Sequence, residues 1–318
     1  MDVLSDILDL LQLRGSLYFR TAFSAPYAIA VPALGQAARF HLAVQGRCHV
    51  IVAGEHDVAL EPGDLVVIPN GAPHVICDDP SRAPDALETV LARAGYHGEG
   101  VLSYCGEADG DEPDGASDGG AQTKLICGHL DFAPGAEHPL LRALPPYLLI
   151  TAERRARAPW LDELMRLITR QMFADTPGVK ASVIRLSEAL FIEVVRTSAE
   201  EDEGLRDMLE ALGDPRIGRA LSLMHRALEQ DWTLERIARE VGMSRSRFAE
   251  RFQALIGCAP MSYLSDLRLQ KAMNLLTGSL DPIQRIAGQV GYQSPAAFSR
   301  AFTSRYGQSP SDIRRAMA

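Results

Sequence analysis

A chain of 318 residues, 47% hydrophobic and 23% charged, is long enough for two domains that each bury a core. No run approaches the ~18 apolar residues that a membrane span needs, and the acidic N-terminus lacks the basic start of a signal peptide, so the expected location is the cytoplasm, with no membrane role. The net charge of −9 is unevenly spread: from Asp214 onward there are 15 Lys and Arg against 9 Asp and Glu, and the acidic excess lies before it. Phosphate affinity therefore belongs to the C-terminal third.

In chain order, Val3, Leu4, Ile7, Leu8, Leu10 and Leu11 predict an amphipathic helix stopped by Gly15, expected to pack against the sheet that follows. From Tyr18 to about Phe132 the pattern is strand-like, with Gly and Pro punctuation. Residues 39–44 alternate, Gly46 turns, and residues 48–52 continue as a second strand. A strand over 64–68 then enters the turn Pro69-Asn70-Gly71, and His74 opens the next strand. Residues 105–122 are acidic and glycine-rich without apolar spacing, and read as a flexible loop with no assigned function.

After Ile150 the period becomes helical. Trp160, Leu161, Leu164, Met165, Leu167, Ile168 and Met172 form one apolar face. A second helix, opened by Pro177, carries Val183, Ile184, Leu186, Leu190, Ile192 and Val195. Such a pair either caps the core of the preceding domain or forms a dimer seam, and the seam is the preferred expectation. The charge run 200–203 begins a linker to Asp214.

The last third contains the same segment twice. Ile237-Ala238 recurs as Ile286-Ala287 and Val241-Gly242 as Val290-Gly291; after the turn, Ser244, Phe248, Phe252, Gly257 and Pro260 recur as Ser294, Phe298, Phe302, Gly307 and Pro310. Leu234, Ile237, Ala238 and Val241 make one helical stripe, Gly242 suits a left-handed helix end, and Ser244 and Ser294 suit N-caps. Each copy is a helix-turn-helix. In the first, Phe248 and Phe252 face inward, leaving Arg245, Arg247 and Arg251, with Ser246, to meet bases or phosphates. In the second, Gln293, Ser294, Ala296, Ala297 and Arg300 occupy the corresponding positions, with weaker polar reach. The first unit is thus expected to read bases and the second to anchor backbone. One helix over 260–278 joins the copies; sixteen or so residues give roughly 24 Å, so both recognition helices can engage one face of a duplex.

These residues carry a resemblance. The paired I-A-x-x-V-G segments, the Ser-x3-Phe-x3-Phe repeats, Leu267-Arg268-Leu269-x-Lys271-Ala272, and Gly291-Tyr292 before residues 298–302 resemble the DNA-binding domain of AraC/XylS transcriptional regulators over 214–316. The resemblance implies a seven-helix domain with two helix-turn-helix units, promoter DNA as a partner, a homodimer, and RNA polymerase as a further partner for an activator. Upstream, Gly63, Pro69, Gly71 and His74 resemble the second motif of the cupin superfamily. The first motif is poorly met: His41 stands alone, and Glu55 and His56 fall off the expected spacing. The half before residue 150 also resembles the cupin-type sensor domains fused to such regulators, through residues 40–46, 63–74, 125–132 and 138–150.

The expected architecture is therefore multidomain: an all-β cupin-like barrel over 1–150, a helical dimerisation or linker segment over 151–213, and an all-α domain with two helix-turn-helix units over 214–318. Five cysteines (Cys48, Cys77, Cys105, Cys127, Cys258) without a CxxC pair argue against a disulfide framework. Cys127 and Cys258 suit small packing positions. A sharper expectation groups His41, His74 and Cys127 as a zinc site inside the barrel, with Cys105 as a candidate fourth ligand. A redox-responsive thiol and a small-molecule effector are the other candidate signals, and residue pattern does not choose among them. The chain reads as a DNA-binding sensor rather than an enzyme. The competing class is a cupin isomerase or dioxygenase with a DNA-binding tail, disfavoured by the incomplete first motif; a helical module binding protein is a third.

Overall fold

The computed structural model describes residues 2–98, 100–106, 122–174 and 176–316, so the acidic stretch 107–121 lies outside the described residues. The chain opens on α1 (Val3–Leu11) and runs through β1 (Arg14–Ser24), β2 (Ala28–Val31), β3 (Ala37–Gln45) and β4 (Cys48–Val52). Next come β5 (His56–Leu60), β6 (Leu65–Ile68), β7 (His74–Cys77), β8 (Asp85–Ala86) and α2 (Leu87–Arg93). Then follow β9 (Val101–Cys105), β10 (Gln122–Asp131), α3 (Pro139–Ala143), β11 (Leu148–Ile150), α4 (Ala152–Arg157), α5 (Pro159–Met172) and α6 (Val179–Ser198). The rest is helical: α7 (Glu203–Gly213), α8 (Ile217–Arg226), α9 (Leu234–Glu240), α10 (Arg245–Ile256), α11 (Pro260–Gly278), α12 (Ile283–Gln289), α13 (Pro295–Tyr306) and α14 (Pro310–Ala316).

Two compact units result, and neither is one continuous stretch. A β unit comprises Arg14–Asp131 and Leu144–Asp202; a helical unit comprises Met1–Leu13, Phe132–Ala143 and Glu203–Ala318. This division by packing differs from the boundaries expected at residues 150 and 213, because α1, α3 and α7 fall in the helical unit.

In the β unit a six-stranded sheet, ordered β11-β6-β3-β10-β1-β9, faces a five-stranded sheet, ordered β5-β4-β7-β2-β8. Both contribute alternate residues to one core: Phe23, Ala43, Val66, Leu125 and Cys127 from the first, Ile29, Val50, Val58, Leu60 and Ile76 from the second. Gly71 makes the turn between β6 and β7 at φ 60°, and a Cβ there would lie 1.9 Å from the Leu34 carbonyl oxygen. Only glycine fits that approach. The buried Asp64 carboxylate accepts from the backbone N–H of Glu61 (2.9 Å) and of Ala152 (2.7 Å), fixing the start of α4 to the β5–β6 turn. Helix α6 packs on β1 and β11 as well as on α5. Val183, Leu190, Phe191, Val194 and Val195 of α6 are buried, as are Leu161, Leu164, Met165 and Ile168 of α5. Most of the apolar surface expected to form a seam is thus spent within the chain, which is the capping alternative.

The helical unit has a different surprise. Helix α1 packs against α7, α8 and α11, not against a sheet: Ile7 and Leu11 are buried there, and Asn274 of α11 donates to the Leu10 carbonyl at 2.7 Å. A buried polar chain ties these segments together. The Leu140 N–H donates to His138 Nδ1 (3.1 Å), so neutral His138 carries its proton on Nε2 and donates to the Tyr263 hydroxyl (2.9 Å). The hydroxyl proton then goes to His225 Nε2 (2.7 Å), and the backbone of Asp6 hydrogen-bonds the same imidazole. Burial lowers His138 to about 3 and His225 to about 4, and pushes the Tyr263 phenol well up.

Seven helices, α8 to α14, lie between Ile217 and Ala316, with α9–α10 and α12–α13 as the two helix-turn-helix pairs and the 19-residue α11 between them. Phe248, Phe252, Phe298 and Phe302 are fully buried, the first pair edge-to-face at 5.7 Å. Tyr263 stands edge-on to Phe252 at 5.6 Å, so the polar chain abuts the clamp of α10. Gly291 turns α12 into α13 at φ 82°, where a Cβ would meet the Leu228 carbonyl oxygen at 2.5 Å.

Candidate functional site

Two sites emerge, one in each unit. In the helical unit, Ser244, Arg245, Ser246 and Arg247 are all exposed at the start of α10. Ser244 is extended, as an N-cap requires, but its side chain makes no capping bond; Ser294 does, accepting from the Ala297 N–H at 3.4 Å. Arg245 pairs with Glu235 at 2.9 Å with both groups largely solvated, a contact that phosphate can replace at little cost. Arg247 has no hydrogen bond or ion pair to any described residue. Arg251 departs from expectation, because it is held by Asp214. Burial pushes the Asp214 carboxyl up, but the Ile217 N–H, the Arg251 guanidinium and the Arg216 N–H outweigh it and hold the acid below its ordinary range. Arg251 is thus tied to Asp214, with about half of its side chain still exposed. In the second unit Gln293, Ser294, Ala296 and Arg300 are exposed, whereas Ala297 is half-buried.

Inside the β unit lies a cavity of about 270 Å³. Its walls are mostly apolar, with Phe19, Phe23, Ile29, Val31, Leu87 and Leu102 among them, and it also meets Arg39, His41, Cys127 and His129. Strand register accounts for the polar cluster: β3 lies between β6 and β10, setting His41 opposite Cys127 and Arg39 opposite His129. The three residues expected to hold zinc do meet. His41 Nδ1 is 3.0 Å from Cys127 Sγ, and His41 Nε2 is 2.8 Å from His74 Nε2.

Their arrangement is a chain, not a tripod. The Ala72 carbonyl can only accept, so His74 donates to it from Nδ1 (3.1 Å) and accepts at Nε2. His41 must then donate from Nε2 and accept at Nδ1 from the Cys127 thiol. Burial lowers His74 to about 4 and His41 well below the ordinary imidazole value, with the charge of His74 and then of Arg39 adding to the effect on His41. Burial likewise raises the Cys127 thiol. The two nitrogens of His41 thus face different partners, and one ion cannot take all three residues. Among the described residues no three such side chains are grouped to hold a metal. Cys105 lies apart, exposed at the end of β9, with its sulfur toward the Ala25 and Gly106 carbonyl oxygens. Zinc therefore does not fit this donor set.

The other thiols bear on redox sensing. Burial raises Cys48 to about 12 and Cys77 to about 11, so neither supplies a thiolate at neutral pH. Pattern reading missed Arg39 altogether, although its place two residues before His41 on a strand puts both on one face.

A cavity-bearing β-barrel and a tandem helix-turn-helix unit in one chain define a DNA-binding regulator with a barrel domain. Comparison with known proteins gives the same class. The family described as Cupin matches residues 2–200, and the Helix-turn-helix domain family matches residues 237–316. The chain is 30% identical to the HTH-type transcriptional regulator AlkR of Acinetobacter baylyi, over 99% of each chain. It is 29% identical to a putative AraC-like transcription regulator of Streptomyces antibioticus, again over 99% of each. Among solved structures, the DNA-binding domain of AdpA in complex with a target DNA is 32% identical, with 32% of this chain and 92% of that one covered at a TM-score of 0.31. The chain belongs to the AraC family of DNA-binding transcriptional regulators and carries a cupin domain. No helix among the described residues is long and apolar enough to cross a membrane.

Proposed function

We propose that the cupin domain of this regulator senses a small organic effector, and that its occupancy alters how the two helix-turn-helix units engage promoter DNA. The observation that carries this reading is the apolar cavity inside the barrel. Every donor and acceptor of the Cys127–His41–His74 chain is matched to a neighbour, which supports binding rather than turnover. Arg245 and Arg247 are the base-reading candidates, and Gln293, Ser294 and Arg300 the backbone-anchoring ones. The regulator acts in the cytoplasm as a homodimer, recruiting RNA polymerase where it activates; Trp160 and Phe173, exposed on and just after α5, supply apolar surface for the pairing.

The test uses the full-length protein. Fragments of its own genome that it retains are sequenced, and the retained duplex is titrated in a gel shift with and without compounds that raise the melting temperature. Salt-dependent binding that changes with an occupant supports the reading. Binding of duplex that no stabilising compound alters rejects the sensing role.

A further inference from the structure

The side chain that the cavity leaves without a partner is Arg39. Its guanidinium is permanently charged and presents five donors, yet it makes no hydrogen bond or ion pair to any described residue. It is half-buried, and burial lowers its pKa. Leaving such a group partly dehydrated and unpaired is unfavourable, and an anion arriving from solvent removes that cost.

The remaining polar groups of the cavity are engaged. His41 is spent on Cys127 and His74, Thr21 Oγ1 accepts from the Leu125 N–H at 3.2 Å, and His129 faces Asp131 at 3.6 Å. The charge on Arg39 also disfavours protonation of His41, His74 and His129, so its field extends over the whole polar wall. Such a site repels cations and favours one anionic head. The rest of the lining is apolar: Phe19, Phe23 and Leu102 from the same six-stranded sheet, Ile29 and Val31 from the facing sheet, and Leu87 of α2, which offer nothing to a polar tail. A cavity of about 270 Å³ with so apolar a lining suits a small, largely hydrocarbon occupant. A nucleotide or a sugar phosphate is too polar for it.

We infer that the cavity binds a small apolar monocarboxylate, aliphatic or aromatic, whose carboxylate pairs with Arg39 while its hydrocarbon fills the barrel. A carboxylate matches the guanidinium fork with two parallel hydrogen bonds, which a single hydroxyl cannot do. This assignment rests on the sensing role proposed above and adds the chemical class of its occupant.

The experiment is calorimetric titration of the full-length protein at neutral pH with octanoate, benzoate and octanol. Octanoate or benzoate is expected to bind roughly 10- to 100-fold tighter than octanol. Arg39→Met should abolish that preference, and Arg39→Lys should keep part of it. Equal affinity of wild type for acid and alcohol overturns the assignment, as does a preference that survives in Arg39→Met. Should Arg39→Met fail to fold, the wild-type ratio of octanoate to octanol and the Arg39→Lys titration decide. Neutral apolar compounds that bind and alter promoter affinity, with no gain from a carboxylate, defeat this inference but leave the sensing role standing. A carboxylate that binds through Arg39 yet leaves promoter binding unaltered does the reverse.

Discussion

Replacing Tyr263 by Phe tests the polar chain of the helical unit with the loss of one oxygen atom. The ring is 3% exposed and keeps its contacts with Phe252, His138 and His225, so little apolar burial is lost. What changes is pairing: His138 Nε2 loses its acceptor at 2.9 Å and His225 Nε2 its donor at 2.7 Å. An unsatisfied buried polar group costs ~1–3 kcal/mol, so the pair should cost about 3 kcal/mol. For a unit of this size that is roughly 10 °C in melting temperature. The chain has two tryptophans, and Trp232 is the buried one in the helical unit while Trp160 is exposed. Urea unfolding followed by Trp232 fluorescence, in a Trp160→Phe background, reads the helical unit directly. A loss below about 0.5 kcal/mol would refute the bridging role, since that is the range of ordinary surface substitutions.

Four further outcomes are expected. Acid should destabilise the helical unit: the folded histidines titrate near 3 and 4 and unfolded ones near 6.5, so the unfolded state takes up protons first. Stability is then full above pH 6.5 and falls as pH drops toward 4, by about 2 kcal/mol per histidine at pH 5, and a flat denaturation profile across that window would contradict it. Gly71→Ala forces a Cβ against the Leu34 carbonyl and should cost the β unit more than about 3 kcal/mol, visible as insoluble or early-melting protein. Arg247→Ala should weaken promoter binding by ~1–3 kcal/mol and relax preference at one base pair, whereas Arg251→Ala should lower the melting temperature and weaken all duplexes alike; the reverse pattern in gel shifts would overturn both roles. Neither zinc nor a chelator should move the melting curve of the β unit, and a zinc-dependent rise would restore the tripod that the His41 geometry opposes.

How legible the protein was depends on which interactions are local. The helix-turn-helix pairs, the turn at Gly71 and the 260–278 helix are set by neighbouring residues, and their periodicity showed them with nearly correct bounds. The meeting of His41, His74 and Cys127 followed from the expected barrel, but its directionality did not. That depends on the Ala72 carbonyl, a backbone atom no side-chain pattern reveals. The amphipathic face of α1 was plain, yet a stripe of leucines does not say whether it covers a sheet or a helix bundle. Arg251 looked like its neighbours until Asp214, 37 residues earlier, was placed against it. Ser244 shows the opposite limit, since a residue of the right type at the right position still makes no cap.

The helical unit has one property with practical weight: its polypeptide is discontinuous. The backbone enters or leaves it at residues 13, 131, 143 and 202, so the barrel and its capping helices read as an insertion within a helical host. A fragment beginning at 214 keeps α8 to α14 but forfeits α1, α3, α7 and the imidazole of His138. Swapping sensors between relatives while keeping this whole helical unit therefore means grafting at four junctions.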